Sequence, residues 1–374
     1  MSKLKRAPVG LIGMIALVLL AEGLLARNEI AFKTGWHWEW ETNGRAARKK
    51  SPGFDILAFG DSQVNHGIIP RVMKQTTGSR TLNMAIGGGQ TTTSYFQLRR
   101  AIESGARPKA VIVDSFPLLM NHSYVENESR FPNFLSFREA LELAYEVKDP
   151  AFFARMACAK LLVSVRERDN IRTGVTTAFQ GVFQTQRDEA AAQTRNRKLN
   201  AGGVVFNRNP TFDVGDLEVW YKLAFSNPEW ITPYHKHYLK KFFALAAEHD
   251  VRVFWLAPPM LPLVQEKFTK EGQDQKFDRL AKAVLSRFPN VTLLDARHSG
   301  YPASAFVDHG HLDRIGAKTW TVNIGQAIER KIAGSTERWV KLPAYNPLDD
   351  DPTIEDISQS RQIVAEAVAK ALVR

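Results

Sequence analysis

The chain has 374 residues, 44% of them hydrophobic and 24% charged, a composition typical of a globular protein large enough to bury a substantial core. Its formal net charge of +11 favours anionic surroundings such as phospholipid headgroups or acidic polysaccharide, whereas the lack of any familiar nucleic-acid-binding motif argues against a nucleic-acid partner. The single cysteine, Cys158, excludes a disulfide bond within the chain.

The first predicted element is an apolar segment from Pro8 to Ala26, preceded by the basic residues Lys3, Lys5 and Arg6. A segment of this length can just span the hydrocarbon core of a bilayer. Because basic residues favour the cytoplasmic side, the N-terminus is expected to stay in the cytoplasm and the rest of the chain to cross. Residues 1–27 are therefore predicted to be a membrane anchor. A cleaved signal peptide and a buried helix are the alternatives.

Residues 28–53 are predicted to form a juxtamembrane linker. The linker contains a cluster of tryptophans, namely Trp36, Trp38 and Trp40. Tryptophan is favoured at membrane–water interfaces because its indole is apolar with one hydrogen-bond donor at its edge. An interfacial position is thus predicted for these side chains, with sugar stacking as the alternative.

From Asp55 onward, short apolar runs alternate with amphipathic stretches, which is the pattern of a parallel sheet covered by helices. Two of these apolar runs, at 110–113 and 251–256, are rich in β-branched and aromatic residues, as interior strands are. The predicted strands are Ile56–Phe59, Thr81–Asn83, Ala110–Asp114, Val251–Leu256 and Val291–Asp295. The predicted fold class is therefore α/β, with a five-stranded parallel sheet in a domain that covers residues 54–334.

Helices are predicted between and after these strands. Thr232-Pro233 supplies a capping residue followed by a proline in the first turn. The predicted helices of the domain and of a C-terminal extension (335–374) are 93–104, 232 to about 249, 275–288, 314–333 and 354–373. A polar and mostly helical insertion at about 123–230, with helices near 137–147, 151–165 and 188–197, is expected at the top edge of the sheet, where loops of α/β folds carry specificity.

Two short motifs lie at opposite ends of this domain. Ser62 follows the first strand in Phe59-Gly60-Asp61-Ser62, and Asp308 and His311 lie in Phe306-Val307-Asp308-His309-Gly310-His311-Leu312. In an open parallel sheet, active sites form at the carboxyl ends of the strands. A hydroxyl is a weak nucleophile until a base takes its proton. The predicted roles are nucleophile for Ser62, base for His311, and orientation of the imidazole for Asp308.

A run of glycines, Gly87-Gly88-Gly89, follows the second strand. A glycine allows a backbone N–H to approach an oxyanion closely, so Gly88 and the N–H of Ser62 are predicted to form an oxyanion hole. A plain tight turn is the alternative. Phosphate binding is disfavoured, because neither of the two glycine-rich phosphate motifs is present.

These motifs resemble those of the SGNH/GDSL hydrolase superfamily. Ser62 matches the nucleophile block, Gly88 the glycine of the second block, and Asp308 and His311 the closing block with its trailing Leu312. The resemblance covers roughly residues 54–120 and 250–333. It implies a three-layer α/β/α fold and ester chemistry on acylated substrates.

The third block departs from that family. Where the family has Gly-x-Asn-Asp after the third strand, with the Asn side chain as an oxyanion donor, this chain has Asp114-Ser115-Phe116-Pro117. Asn121, further along the same loop, is a weak candidate for the missing donor. Loss of one such donor costs about 2.7–4 kcal/mol of transition-state stabilisation.

The membrane anchor and the altered third block are similar to envelope SGNH-type proteins that act beside membrane-bound O-acyltransferases on extracellular polysaccharide. The similarity implies a serine esterase or O-acyltransferase that acts on acyl (most simply acetyl) esters of envelope or extracellular carbohydrate, or on another small ester. It also implies a single-pass protein of the bacterial cell membrane with a periplasmic or extracellular catalytic domain. A membrane-bound O-acyltransferase is an expected partner, and no cofactor is expected.

Two other functions remain open from the sequence. The pairs His235/His237 and His309/His311 have a spacing found among zinc ligands, but residues two apart on a helix point in nearly opposite directions, so no metal is expected. A catalytically weak or inactive polysaccharide-binding module is the second alternative. The missing third-block asparagine favours it, and the retention of all three triad residues argues against it.

Overall fold

The computed structural model describes residues 9–27, 35–114, 120, 122–179, 183–207, 218, 221–222 and 231–372. Asn121 and the third-block residues Ser115–Pro117 lie outside the described residues, as do parts of the predicted linker and insertion. The chain divides into two compact units: residues 1–38 with 128–190, and residues 39–127 with 191–374.

The second unit contains one sheet of six parallel strands in the order β2-β1-β3-β4-β5-β6. The strands are β1 (Ile56–Phe59), β2 (Thr81–Asn83), β3 (Ala110–Asp114), β4 (Arg252–Ala257), β5 (Val291–Asp295) and β6 (Trp339–Lys341). The prediction of an α/β fold with a parallel sheet is confirmed. β4 begins and ends one residue later than predicted, and the other four predicted strands have the predicted bounds.

The sixth strand corrects the predicted number of five. β6 lies at the edge of the sheet in the C-terminal extension, where Leu294 of β5 pairs with Val340. The strand has only three residues, of which Val340 alone is buried. So short a segment shows no alternation of apolar and polar residues, and for that reason the pattern did not predict it.

Helices precede, connect and follow the strands. In chain order they are α1 (Val9–Arg27), α2 (Gly35–Lys49), α3 (Ser62–Gly67), α4 (Pro70–Thr77), α5 (Thr91–Glu103), α6 (Phe131–Phe134), α7 (Phe137–Glu146), α8 (Pro150–Leu161), α9 (Val163–Arg166), α10 (Arg168–Phe179), α11 (Phe183–Leu199), α12 (Pro233–Glu248), α13 (Pro262–Lys270), α14 (Gln273–Arg287), α15 (Arg314–Ile332) and α16 (Ile357–Leu372). Each predicted helix is present with shifted ends, although 151–165 is divided between α8 and α9. The predicted cap of α12 is confirmed, because the Thr232 hydroxyl accepts from His235 N at 3.3 Å.

The order of the strands places a crevice beside β1. The chain passes from β1 to β2 on one side and then to β3 on the other, and ligands of open α/β sheets bind at the carboxyl ends of strands at such a reversal. Phe59 at the end of β1 pairs with Val113 near the end of β3. Gly60, which follows β1, and Asp114, the last residue of β3, therefore meet at the crevice.

Side chains of successive strand residues point to opposite faces of the sheet. On one face, Ile112 of β3 belongs to a buried apolar cluster that also contains Trp320 of α15. On the other, Phe59 of β1 contacts Phe242 of α12, with 5.8 Å between ring centroids. The sheet is therefore buried on both faces, which agrees with the nearly continuous apolar character of its strands.

The predicted insertion at 123–230 does not form one body. Residues 128–190 belong to the first unit, whereas residues from 191 onward belong to the second. There, Asn196 of α11 donates to the carbonyl of Glu355 at 2.9 Å, and its side-chain oxygen accepts from Val205 N at 3.0 Å. The end of the insertion is thus part of the unit that contains the sheet.

The first unit contains α1. Residues Gly10–Arg27 are long and apolar enough to cross a membrane, with a mean hydropathy of 1.9 and no burial within the structure. A signal sequence has the same properties. Within this unit, Ser164 at α9 donates its backbone N–H to Glu22 Oε2 at 3.2 Å.

The predicted linker contains α2, and one of its tryptophans corrects the prediction of an interfacial position. Trp40 is fully buried, and its Nε1 donates to the carbonyl of Gly87 at 3.0 Å. The indole therefore lies in the protein interior with its donor satisfied by a backbone acceptor. Residues Glu39–Lys49 of this helix belong to the second unit.

Gly60 is a position that has no space for a side chain, and its substitution tests the turn after β1. Its φ is +132°, and a Cβ added there would lie 1.9 Å from Asp114 Oδ1. We expect Gly60→Ala to destabilise the protein by about 3 kcal/mol or more, because backbone strain and overpacking add. Gly105→Ala is the matched control, since Gly105 also has a positive φ (+91°) but no atom within 4 Å of an added Cβ. Equal losses in urea unfolding for the two variants would contradict the importance of this contact.

Candidate active site

Ser62 lies at the carboxyl end of β1, where α3 begins. Asp61 caps this helix, its carboxylate accepting from Gln63 N at 2.6 Å. Ser62 itself is half-buried. Within the described part of the chain, neither its backbone N–H nor its hydroxyl has a hydrogen-bond partner. Both groups are therefore available for a ligand.

Asp308 and His311 form a closed loop just before α15. Asp308 Oδ1 accepts from the backbone N–H groups of Gly310 and His311, each at 2.9 Å. His311 Nδ1 lies 2.8 Å from Oδ1 and 2.7 Å from Oδ2 of the same carboxylate. Because a carboxylate accepts, Nδ1 carries the proton and Nε2 keeps its lone pair. The Asp-x-x-His spacing thus produces the predicted acid–imidazole pair.

The charges around His311 favour its protonated form. Burial lowers its pKa, but the hydrogen bond and charge of Asp308, with the charges of Asp61 and Glu39, outweigh burial and raise the pKa above the usual 6.5. Burial also raises the pKa of Asp308, yet hydrogen bonds from His311 and Gly310 lower it to about 2. At neutral pH, Asp308 is therefore a carboxylate, and it favours the imidazolium that forms when His311 takes up a second proton.

The structure brings the two motifs to the same corner of the sheet. Gln63 Nε2 donates to the carbonyl of Gly310 at 3.2 Å. The ring of His66 lies 5.1 Å from that of His311, nearly perpendicular to it. Ser62 and His66 are four residues apart on α3 and so share one face of that helix. His311 therefore lies beside the face that carries Ser62.

The Ser62 hydroxyl and His311 are not hydrogen-bonded to each other among the described contacts. In enzymes that pair a serine nucleophile with a histidine base, the bond between the two groups often tightens only when substrate is bound. The Ser62 hydroxyl has no competing hydrogen-bond partner among the described residues.

Sequence reasoning missed the residues that surround the imidazole. His66 Nδ1 donates to the carbonyl of Val204 at 2.9 Å, and its ring stacks on Phe206 with 4.1 Å between centroids. Phe206 also contacts His311, with 5.7 Å between centroids. Burial, together with the charge of His311, holds the pKa of His66 well below 6.5. His66 is therefore neutral, and it packs against His311 without adding a second charge.

The glycine loop after β2 lies next to the turn that follows β1. Ile86 N donates to the carbonyl of Gly60 at 3.0 Å. Gly88 has a φ of +65°, and its carbonyl accepts from Asn127 Nδ2 at 3.0 Å. Its backbone N–H has no partner among the described residues. The loop thus presents an available amide close to the residues that precede Ser62, and its role in an oxyanion hole stays a prediction.

Asp114, at the end of β3, forms a buried acid pair with Asp61. Asp61 N donates to Asp114 Oδ1 at 3.0 Å, and both residues are buried. Burial, together with the charge of Asp61, raises the pKa of Asp114 well above its usual value. Asp114 therefore holds the proton of this acid pair. Its Oδ2 is buried without a hydrogen-bond partner among the described residues.

His235, one of the histidines considered as zinc ligands, makes other contacts through both ring nitrogens. His235 is fully buried, its Nε2 donates to the carbonyl of His122 at 3.0 Å, and its Nδ1 accepts from the Thr91 hydroxyl at 2.9 Å. Burial lowers its pKa to about 3, so the ring is neutral. Among the described residues, no group of three His, Cys, Asp or Glu side chains is placed to hold a metal ion.

Comparison with models of protein families found none that matches the chain, and comparison with curated proteins found no match. The candidate site combines a carboxylate-bound imidazole with the Ser62 hydroxyl and the Gly88 amide, neither of which has a hydrogen-bond partner among the described residues.

Substitution of Asp114 tests whether this residue carries the proton of the Asp61–Asp114 pair. Because its pKa is raised in the folded state, its contribution to stability is fully present below the unfolded value of 3.8 and is lost as pH rises through the folded value. Asp114→Asn keeps an acceptor for Asp61 N and gains a permanent donor to the Asp61 carboxylate. We expect the variant to lack this pH dependence and to be the more stable protein at pH 8 in urea unfolding. Parallel stability profiles for variant and wild type between pH 4 and 8 would contradict the pair.

The pH dependence of activity tests the acid–imidazole pair. If neutral His311 is the base, kcat/KM for ester hydrolysis should rise with pH through an apparent pKa above 6.5, because Asp308 stabilises the protonated form. Asp308→Asn should move this midpoint downward and lower kcat by a factor on the order of 10⁴, since the amide no longer enforces the tautomer. An unchanged midpoint in the variant would show that Asp308 does not set the pKa of the base.

Proposed function

We propose that the protein is an SGNH-type serine esterase or O-acyltransferase. The single observation that carries the proposal is that the Asp308–His311 pair lies beside the face of α3 that begins with Ser62. A nucleophile, its base and the group that orients the base are the minimum that acyl transfer through a serine needs. Their position at the strand reversal is where open α/β sheets bind ligands.

In the first half of the reaction, Ser62 Oγ attacks the carbonyl carbon of an acyl ester and gives its proton to His311 Nε2. The negative charge that develops on the carbonyl oxygen is stabilised by the N–H groups of Ser62 and Gly88. The bond to the leaving alcohol then breaks, and His311 returns the proton to that alcohol. An acyl-serine remains on Ser62.

In the second half, water or a sugar hydroxyl attacks the acyl carbon, and His311 takes the proton of the attacking group. Collapse of the tetrahedral intermediate returns that proton to Ser62 Oγ and releases the acid or the new ester. Asn121 is the candidate for a third oxyanion donor. Asp114, at the start of the altered third block, is not a candidate for this donor, because its carboxyl group is hydrogen-bonded to Asp61 N.

The wider setting is proposed from architecture. Packing on both faces of the sheet supports a three-layer α/β/α arrangement. The apolar helix α1 supports a single-pass anchor in a bacterial membrane, and the basic residues before it favour a periplasmic or extracellular catalytic domain. The proposed substrates are acyl esters, most simply acetyl esters, of envelope carbohydrate, and the proposed partner is a membrane-bound O-acyltransferase.

A catalytically weak or inactive polysaccharide-binding module is the second candidate. The observation in its favour is that the Ser62 hydroxyl makes no hydrogen bond to His311 among the described residues. This function needs neither the acyl-serine nor the proton transfer, so it is distinguished from the first by covalent labelling alone.

Substitution of Ser62 decides between the two. The full-length protein in nanodiscs should be labelled stoichiometrically by a serine-directed fluorophosphonate and should hydrolyse p-nitrophenyl acetate. Ser62→Ala should abolish labelling and lower kcat by more than about 10³-fold without loss of folding. Ser286→Ala, on the exposed face of α14, is the control and should behave as wild type. Wild-type protein that takes up no label while a known serine esterase does would favour the binding module.

A further inference from the structure

The peptide unit between Gly87 and Gly88 carries the second oxyanion donor of the proposed function, on which this inference rests. Such a unit between two glycines can rotate at little steric cost, because glycine adopts positive and negative φ about equally. Gly88 has a φ of +65°. Rotation of the peptide by half a turn would replace the Gly88 N–H by the Gly87 carbonyl and would present a negative dipole to the oxyanion.

Helix α2, which precedes the predicted domain, holds this peptide. Trp40 Nε1 donates to the carbonyl of Gly87 at 3.0 Å. Glu39 Oε1 accepts from Gly87 N at 2.8 Å. On the far side, Asn127 Nδ2 donates to the carbonyl of Gly88 at 3.0 Å. The groups on both sides of the Gly88 N–H are therefore engaged, and that N–H has no partner among the described residues.

The planarity of the peptide makes the contact from Trp40 decisive. In a trans peptide, the carbonyl and the N–H point in opposite directions. When the indole holds the carbonyl of Gly87, it also fixes the direction of the Gly88 N–H, away from Trp40. The indole is fully buried, so it does this without access to a substrate.

Glu39 links the same loop to the helix of the nucleophile. Its Oε1 lies 3.0 Å from Arg197 Nη2 and also accepts from Asn65 Nδ2 of α3. Because α3 begins at Ser62, both proposed oxyanion donors are connected through this buried carboxylate. The ion pair with Arg197 compensates the cost of burying the charge.

We infer that Trp40 is a positioning residue of the oxyanion hole, whose indole N–H keeps the Gly87–Gly88 peptide from rotating. Glu39 supports it by fixing the preceding N–H. An indole that served packing alone would affect stability but not the balance between ground-state and transition-state binding. The two roles therefore differ in a measurable way.

The experiment replaces Trp40 by 3-benzothienylalanine, which keeps the shape of the side chain but has sulfur in place of the N–H. Trp40→Phe is a second variant. We expect kcat for p-nitrophenyl acetate to fall about 10- to 100-fold, less than the 10²–10³ typical of losing an oxyanion donor outright, with KM changed less than twofold. The affinity for a boronate transition-state analogue should fall by the same factor as kcat.

Two controls separate positioning from packing. The same replacement at Trp255 removes no hydrogen bond, because its Nε1 is buried without a partner among the described residues. Asn43→Ala removes a bond from α2 to the same loop, donated to the carbonyl of Ala85 at 2.8 Å, that does not hold the Gly87–Gly88 peptide. Both control variants should keep kcat within about threefold of wild type.

The outcomes are distinct. Wild-type kcat in the Trp40 variants, or an equal fall in Asn43→Ala, would overturn the inference and leave the proposed function standing. Wild-type protein that is neither labelled nor active would remove the proposed function and this inference with it. A measurement without variants completes the test: in ¹⁵N-glycine-labelled wild type, the amide resonance of Gly88 should shift when the boronate binds, and an unmoved resonance would also overturn the inference.

Discussion

The close approach of β1 and β3 at their carboxyl ends is the constraint on which the site depends. Gly60 lies directly against the carboxyl group of Asp114, at a distance that leaves no space for a side chain. The contact determines where the chain leaves the sheet and therefore where α3 begins. It also leaves the carbonyl of Gly60 free to accept from Ile86 N, which holds the glycine loop beside the same turn. The proposed nucleophile and the proposed oxyanion loop are thus positioned by the same turn after β1.

The protonation states of the acids and histidines around this turn are constrained as well. Asp61 and Asp114 are too close and too buried to carry two charges, and a proton on Asp114 resolves the conflict while Asp61 caps α3. The charges of Asp61 and Asp308 then favour the imidazolium of His311, the species that the proposed proton transfer from Ser62 would form. His66, in ring contact with His311, stays neutral because of its burial. The site is therefore arranged for one mobile proton.

The sequence predicts the features that depend on residues close together in the chain, and it misses those that depend on distant residues. The strands were predicted because buried parallel strands are short apolar runs, and the Asp308–His311 pair because its partners lie three residues apart. β6 was missed because three residues carry no periodicity. His66, Phe206 and Trp40 owe their roles to partners distant in the chain, such as Gly87 for Trp40, and no local pattern encodes such a contact. The tryptophan cluster even suggested the opposite environment, because composition alone does not distinguish an interfacial indole from a buried one.

Because α2 precedes the first strand, a shortened chain that contains only the sheet and its helices would lose the contacts that α2 makes. A chain shortened to begin at residue 54 would retain all six strands together with Ser62, Asp308 and His311. It would nevertheless lack the indole and the carboxylate that hold Gly87. Such a fragment would keep the proposed nucleophile and base, but its Gly87–Gly88 peptide would have lost both contacts. The smallest body that retains the whole proposed site therefore starts upstream of β1, in a segment whose composition suggests only a tether.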